Sequence, residues 1–297
     1  MLFFFGRDIE LENSGNCIGS TFRNLRQRRL LEIKQVSGNL HVSTVSHFEH
    51  KDSDIRIFTL MSILRETMTD PQEFLEIVDL QAGYFETLIH RIEHAYDCLN
   101  LESLLQMRAE FPFSPLTSAP KTLINLILEV VISDVRHVSF TFSSEKLNFI
   151  IPYLLHNGPW YKLEYIVFGN VCHALPTKVN DQIVSHMLKV YDDWHLPEYT
   201  TNLVIVIFNL AGDRMNQGKL ADVKQFIDIL SNLSVNCEQL YLEFHISLLR
   251  LAYHVKLHPE NKKSKYMLSN LLSTISMIDK SLFVKASDWL TQIDISL

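Results

Sequence analysis

Glycine and proline are scarce in this sequence, with nine of each among 297 residues. A sheet protein of that length needs frequent tight turns, so the scarcity argues against a mainly β chain and favours helices. Cysteine is scarcer still: Cys17, Cys98, Cys172 and Cys237 are far apart and form no CxxC pair. That spacing disfavours a disulfide framework and a secreted protein, and fits reduced, mostly buried thiols in a cytoplasmic one. An excess of positive charge is also missing. The net charge is −7 and the pI near 6.0, which argues against a general polyanion binder but leaves room for a small basic patch aimed at one groove. The apolar opening Met1-Leu2-Phe3-Phe4-Phe5 has no basic flank and is too short for a signal peptide or membrane span. Residues 1–17 are therefore expected to form a loose tail, and no membrane partner is expected. No glycine-rich nucleotide loop and no Gly-x-Ser-x-Gly elbow occurs, so no catalytic residue, cofactor or metal is expected.

What is present is a chain able to bury a large core, 47% hydrophobic and 21% charged. Ile18 to Glu66 reads as several short helices, with Phe22 and Leu25 on one face of the first and Val45 and Phe48 on one face of a later one. Arg23, Arg26, Arg28, Arg29 and Lys34 against Glu32 give a local excess of four positive charges. Asp70-Pro71-Gln72-Glu73 then combines an N-cap Asp, a proline at the first helical position and a Glu three residues after the cap. A helix is predicted to start there. Its apolar positions Phe74, Ile77, Leu80, Tyr84, Leu88 and Ile92 suggest a rigid connector running past His90.

Beyond it, chain breakers fall at Gly158-Pro159, Pro176, Leu196-Pro197, Gly218, Asn236 and His258-Pro259. Steps of 42 residues from Pro176 to Gly218, 41 from Gly218 to Pro259 and 39 from Gly158 to Pro197 imply two helices per repeat. Leu203, Ile207, Leu210 and Ala211 mark one buried stripe. The expectation is an all-α protein: a tail over 1–17, a helix-turn-helix over 18–68, and over 69–297 the connector helix and a right-handed array of tetratricopeptide-like hairpins. Such arrays curve, and extended peptides are common ligands of their concave face.

The sharpest local signal is Leu40-His41-Val42-Ser43-Thr44-Val45-Ser46-His47-Phe48-Glu49, followed by Ser53-Asp54-Ile55 and an apolar helix with Leu60 and Leu64. It has the pattern of a recognition helix: small polar residues at the helix start approach the phosphates, exposed side chains reach base edges, and Val45 and Phe48 face the core. With Leu25-Arg26 upstream and Glu73-Phe74 downstream, these residues resemble the Rgg/GadR/MutR regulators of Gram-positive bacteria. Trp160-Tyr161, Glu164 and Phe168-Gly169-Asn170, after a helix containing Tyr153-Leu154-Leu155, resemble the middle of that family's helical domain.

The resemblance implies a homodimeric, cytoplasmic transcription regulator. Its repeat domain would receive a short signalling peptide and alter how the helix-turn-helix domains act on double-stranded promoter DNA. It further implies peptide contacts from Asn170 and His173, while the residues themselves offer Arg26, Arg29, His41, Ser43, Thr44 and His47 as DNA contacts and Trp160 as an aromatic wall of the peptide groove. His173 stands where the family carries Arg, which weakens a charge-assisted bond to a peptide carboxylate at neutral pH. Val42 and His47 replace Lys or Arg, and Lys51 replaces Gly, so weaker and less salt-sensitive DNA binding is expected.

Each of these residues also has a structural reading. Arginines on a surface helix are commonly only solvated. Trp160, Tyr161 and Phe168 fit packing between repeats as well as a groove wall, and Asn170 needs either a backbone or a ligand partner. Two other functions stay open: a peptide binder with a decayed DNA-binding module, and a zinc peptidase built on the His-x-x-Glu-His spacing of His90, Glu93 and His94. No third ligand for that metal can be picked out, and polar residues on the outer face of an amphipathic helix explain it equally.

Overall fold

The computed structural model of the chain describes residues 18–38, 40–51, 54–78, 84–113, 117–194, 196–233 and 239–296. The expected tail over 1–17 with Cys17, and also Ser53, Leu80, Asn236 and Cys237, lies outside the described residues. Among those described, all regular structure is helical. They form two compact units, which divide between Arg91 and Ile92.

The N-terminal unit contains α1 (Ile18–Arg28), α2 (Ile33–Ser37), α3 (Val42–Lys51), α4 (Ile57–Glu66) and α5 (Pro71–Val78). Phe22, Val36, Val45, Phe48, Leu60, Ile63 and Leu64 converge on one core, to which α5 adds Phe74 and Val78. α5 thus buries its apolar face in the N-terminal core. Phe22 and Phe48 meet with ring centroids 5.9 Å apart, a contact favourable by about 0.5–1.5 kcal/mol beyond burial alone. The predicted start of α5 is in place: Asp70 Oδ1 accepts from the backbone N–H of Gln72 at 2.7 Å and of Glu73 at 3.4 Å. Ile77 is exposed and Val78 takes the buried position one turn after Phe74. The expected connector is described in two pieces, α5 and α6 (Tyr84–Asp97), because residues 79–83 lie outside the described ones.

Within this unit Arg26 lies buried against Glu49. Its Nε and Nη2 donate to the two carboxylate oxygens at 2.6 and 2.7 Å, and Nη1 donates to the Leu31 carbonyl at 2.5 Å. The pair ties the end of α1 to α3. Arg29 donates to the Thr67 carbonyl and Thr69 Oγ1, which ties the same end of α1 to the α4–α5 turn.

The C-terminal unit continues with α7 (Leu101–Glu110), a 3-10 turn at Phe111–Phe113, α8 (Ser118–Val135), α9 (Ser144–Leu154) and α10 (Lys162–Val171). It is completed by α11 (Thr177–Trp194), α12 (Thr200–Asn216), α13 (Leu220–Ser231), α14 (Leu240–Leu257), α15 (Lys262–Ile278) and α16 (Lys280–Gln292). Helices α8, α10, α12 and α14 pack successively side by side as one row, and α9 packs on α11 in a second. This alternation is the stacked-hairpin plan expected from the repeat period.

The breakers mark the joints: Gly158 lies between α9 and α10, Pro176 before α11, Leu196 before α12, and His258 ends α14. Gly218, between α12 and α13, has φ +71, a conformation that costs glycine nothing. Side-chain caps start other helices. Asn100 starts α7, Ser143 α9, Asn261 α15 and Asp279 α16, each accepting from a backbone N–H of the first turn.

Helix α12 is buried on every face; Leu203, Ile207, Leu210 and Ala211 are each at most 1% exposed, and so are Val204, Ile205, Val206 and Phe208. A helix apolar all round belongs in the middle of a stack. Trp289 of α16 packs on Phe208 with centroids 4.3 Å apart. A Cβ at Gly212 would come within 2.8 Å of the Trp289 Nε1.

Two stability predictions result. Gly212→Ala would gain about 1 kcal/mol in an open helix; here it is expected to destabilise by about 1–3 kcal/mol through overpacking against Trp289, read as a lower Tm. Arg26→Ala strands the Glu49 carboxylate and is expected to cost the N-terminal unit about 3–5 kcal/mol, whereas exposed Arg28→Ala should change its denaturation midpoint by less than about 0.5 kcal/mol.

Candidate functional site

Two regions gather the candidate residues, one in each unit. In the N-terminal unit α3 turns Val45, Phe48 and Glu49 inward and leaves His41, Val42, Ser43, Thr44, His47 and His50 exposed. The helix therefore presents one continuous polar face from its first turn onward, where unpaired backbone N–H groups and the helix dipole favour an anion such as phosphate. Ser43, Thr44 and His47 share this face, and His41 precedes it.

The two arginines behave differently from the expectation. Arg26 is only 7% exposed, and its guanidinium is committed to Glu49 through Nε and Nη2 and to the Leu31 carbonyl through Nη1, so it serves to hold α1 to α3. Arg29 is partly exposed but held by Thr67 and Thr69. A buried guanidinium needs a carboxylate to offset its desolvation, and Glu49, at the inward end of the α3 motif, supplies one. The free positive charge near α3 is reduced accordingly; Arg28, Lys34 and Arg56 remain exposed.

In the C-terminal unit an open cavity of about 950 Å³ is lined by residues of α8, α12 and α16, by the turn after α10, and by the end of α6. Of the three residues expected to meet a peptide, only His173 lines it. Trp160 is 2% exposed and packs edge-on against Tyr165 and Phe168 at 5.3 and 5.8 Å, within the core of the unit. Asn170 is 5% exposed and donates its Nδ2 back to the Ile166 carbonyl at 2.8 Å, one turn earlier in its own helix. Its Oδ1 has no partner among the described residues, but it is not among those lining the cavity.

The motif around these residues is architectural. Glu164 accepts from the Tyr161 backbone N–H at 2.9 Å, which caps α10, and from the Tyr153 hydroxyl at 2.5 Å, which joins α9 to α10. At Gly169 a Cβ would lie 3.1 Å from Val206, so glycine permits the close approach of α10 and α12.

Residues with no expected role line the cavity with His173: Asp134, Asn209 and Asp213, with Asp97, Lys285 and Asp288 further along. His173 Nε2 lies 3.3 Å from Asp134 Oδ1. Burial works against protonating His173, but the Asp134 hydrogen bond and the charges of Asp134 and Asp213 outweigh it and raise the imidazole above its ordinary pKa. Burial pushes the Asp213 carboxyl up, against the pull of His173 and Arg214. Cys172 is fully enclosed and its thiol is pushed well up by burial, whereas Cys98 is exposed. Side-chain atoms of Cys172, His173 and Asp213 lie within 4.8 Å of one another. His90, Glu93 and His94 form no such group; on α6 both histidines are exposed and Glu93 is buried.

The signal that could have found Asn209 and Asp213 is their spacing. They stand one turn apart on a largely buried helix, and polar side chains at that spacing share one face and a common destination.

Residues 117–286 match the family described as the C-terminal domain of the HTH-type transcriptional regulator Rgg. No curated protein sequence matches the chain. Among solved structures, a Listeria monocytogenes EGD-e protein described as a candidate transcriptional regulator has a TM-score of 0.79 at 17% identity, covering 95% of this chain and 100% of its own. The Streptococcus dysgalactiae SHP pheromone receptor Rgg2 gives a TM-score of 0.68 at 19% identity, over 93% of this chain and 99% of that one. The PrgX/cCF10 complex gives 0.70 at 17% identity, over 94% and 92%. At these identities the structures establish a shared fold over nearly the whole chain. The family match covers more than half of the sequence, and with the helical unit that carries it, it places the chain in the Rgg family of helix-turn-helix transcriptional regulators.

Proposed function

We propose that the chain is a cytoplasmic, homodimeric regulator that binds promoter DNA through α3 and whose DNA binding is set by a short peptide held in the cavity of the C-terminal unit. The observation that carries the DNA half is the exposed polar face of α3, His41, Ser43, Thr44 and His47, on a helix whose opposite face is fixed by Val45, Phe48 and the Arg26–Glu49 pair. A reading helix must be both presented and rigid, and the buried pair supplies the rigidity.

Two structures of this fold are described as a pheromone receptor and a peptide complex, respectively. Here the open cavity with mixed polar and apolar lining would hold such a peptide. Ile57, Phe58 and Met61 leave an exposed apolar strip on α4, which a second copy of the chain would cover. A peptide preferring one arrangement of the dimer shifts its population, and with it the spacing of the two α3 helices.

The test is electrophoretic retention of DNA from beside the gene, at two salt concentrations. Ser43→Ala, Thr44→Ala and His47→Ala are each expected to weaken specific binding by about 1–3 kcal/mol without changing Tm. With Arg26 buried, few phosphate contacts remain, so the log–log salt slope should lie between about −2 and −4 per protomer. Unaltered retention by the triple variant would rule out α3 as the reading helix.

A further inference from the structure

The charge inside the cavity does not suit an anionic ligand end. Asp97 and Lys285 lie 2.7 Å apart and neutralise each other. His173 leans on Asp134. Asp213, on the same wall, has no ion-pair partner among the described residues, since its neighbour Arg214 turns to Asp181 and, at 3.7 Å, to Asp222. Asp288 adds a further carboxylate at the exposed side.

One turn before Asp213, Asn209 lines the same cavity. It is 9% exposed, and its Oδ1 has no hydrogen-bond partner among the described residues. A buried acceptor left unpaired is costly, so a ligand group that donates there recovers that loss. Asp134, Asp213 and Asn209 Oδ1 are all acceptors, and the group that satisfies three acceptors at once is a cation with several N–H donors.

Resting on the peptide-groove reading, we propose that the cavity contains a cation subsite in which Asp134, Asp213 and Asn209 take the ammonium or guanidinium of a ligand peptide. Asp134 and Asp213 both stand beside His173, so the wall around the imidazole is acidic. The cation can be the peptide's own α-amino group or a Lys or Arg side chain; both present the same fan of donors.

The test uses the full chain and synthetic hydrophobic peptides of about eight residues, followed by calorimetry. One set has a free N-terminus; its N-acetylated counterpart carries a single Lys, norleucine or Glu at successive positions. The expectation is that a cationic peptide binds at least about tenfold more tightly than its neutral counterpart. A preference kept on acetylation only when Lys is present assigns a side chain; one lost on acetylation regardless of Lys assigns the α-amine. Asp213→Asn, nearly isosteric, should cut the preference to about threefold or less, and Asp134→Asn should do likewise if the first variant loses stability.

Equal or tighter binding of the neutral or Glu peptides would overturn the cation subsite while leaving the groove reading intact. Binding of no peptide at all, by a chain that still retains DNA, would overturn the groove reading itself. Stoichiometric zinc uptake by the peptide-free chain, lost in Cys172→Ser, would assign the cluster to a metal and also overturn the proposal.

Discussion

The enclosure of α12 is the constraint on which the C-terminal unit depends. A helix packed on every side tolerates no unsatisfied charge, yet this one carries Asn202, Asn209, Asp213 and Arg214. Arg214 is answered by Asp181 and Asp222. Asn209 and Asp213 are delivered to the cavity, where solvent or a ligand can reach them. The small residue Gly212 follows from the same crowding, because Trp289 occupies the space a side chain would need. The helix that centres the stack thus also supplies the cavity's most distinctive chemistry.

The N-terminal unit solves a different problem with similar means. Its core is small, so the orientation of α3 is fixed by Phe48 and by a buried, bidentate ion pair. Such a pair is worth little as net stability but penalises any rotation of α3 that breaks it. The outer face of the helix is then free to carry polar side chains chosen for what they touch.

The architecture was legible because it is written in breakers and periodicity. Gly158, Pro176, Leu196 and Gly218 fall at joints, and Asp70-Pro71 starts a helix, since φ restrictions and caps are local properties. The joint at Asp279 was invisible by that route, because an aspartate cap looks like any surface carboxylate until its backbone partner is known. The functional residues were harder. Arg26 read as a surface base because its partner Glu49 lies 23 positions away, and no local pattern links the two. Trp160 reads equally as a groove wall or as packing between repeats, and a large aromatic ring beside Tyr165 and Phe168 gains from burial. Asn209 and Asp213 were hidden within an apolar stripe, where attention goes to the residues that pack.

In the proposed function, DNA binding by one unit and peptide binding by the other are energetically linked. Linkage is reciprocal, so the most direct measurement is a pair of titrations: DNA affinity with and without saturating peptide, and peptide affinity with and without saturating DNA. The account predicts that both change by one common factor, about 5- to 150-fold in size. Two affinities that are each indifferent to the other ligand would contradict it.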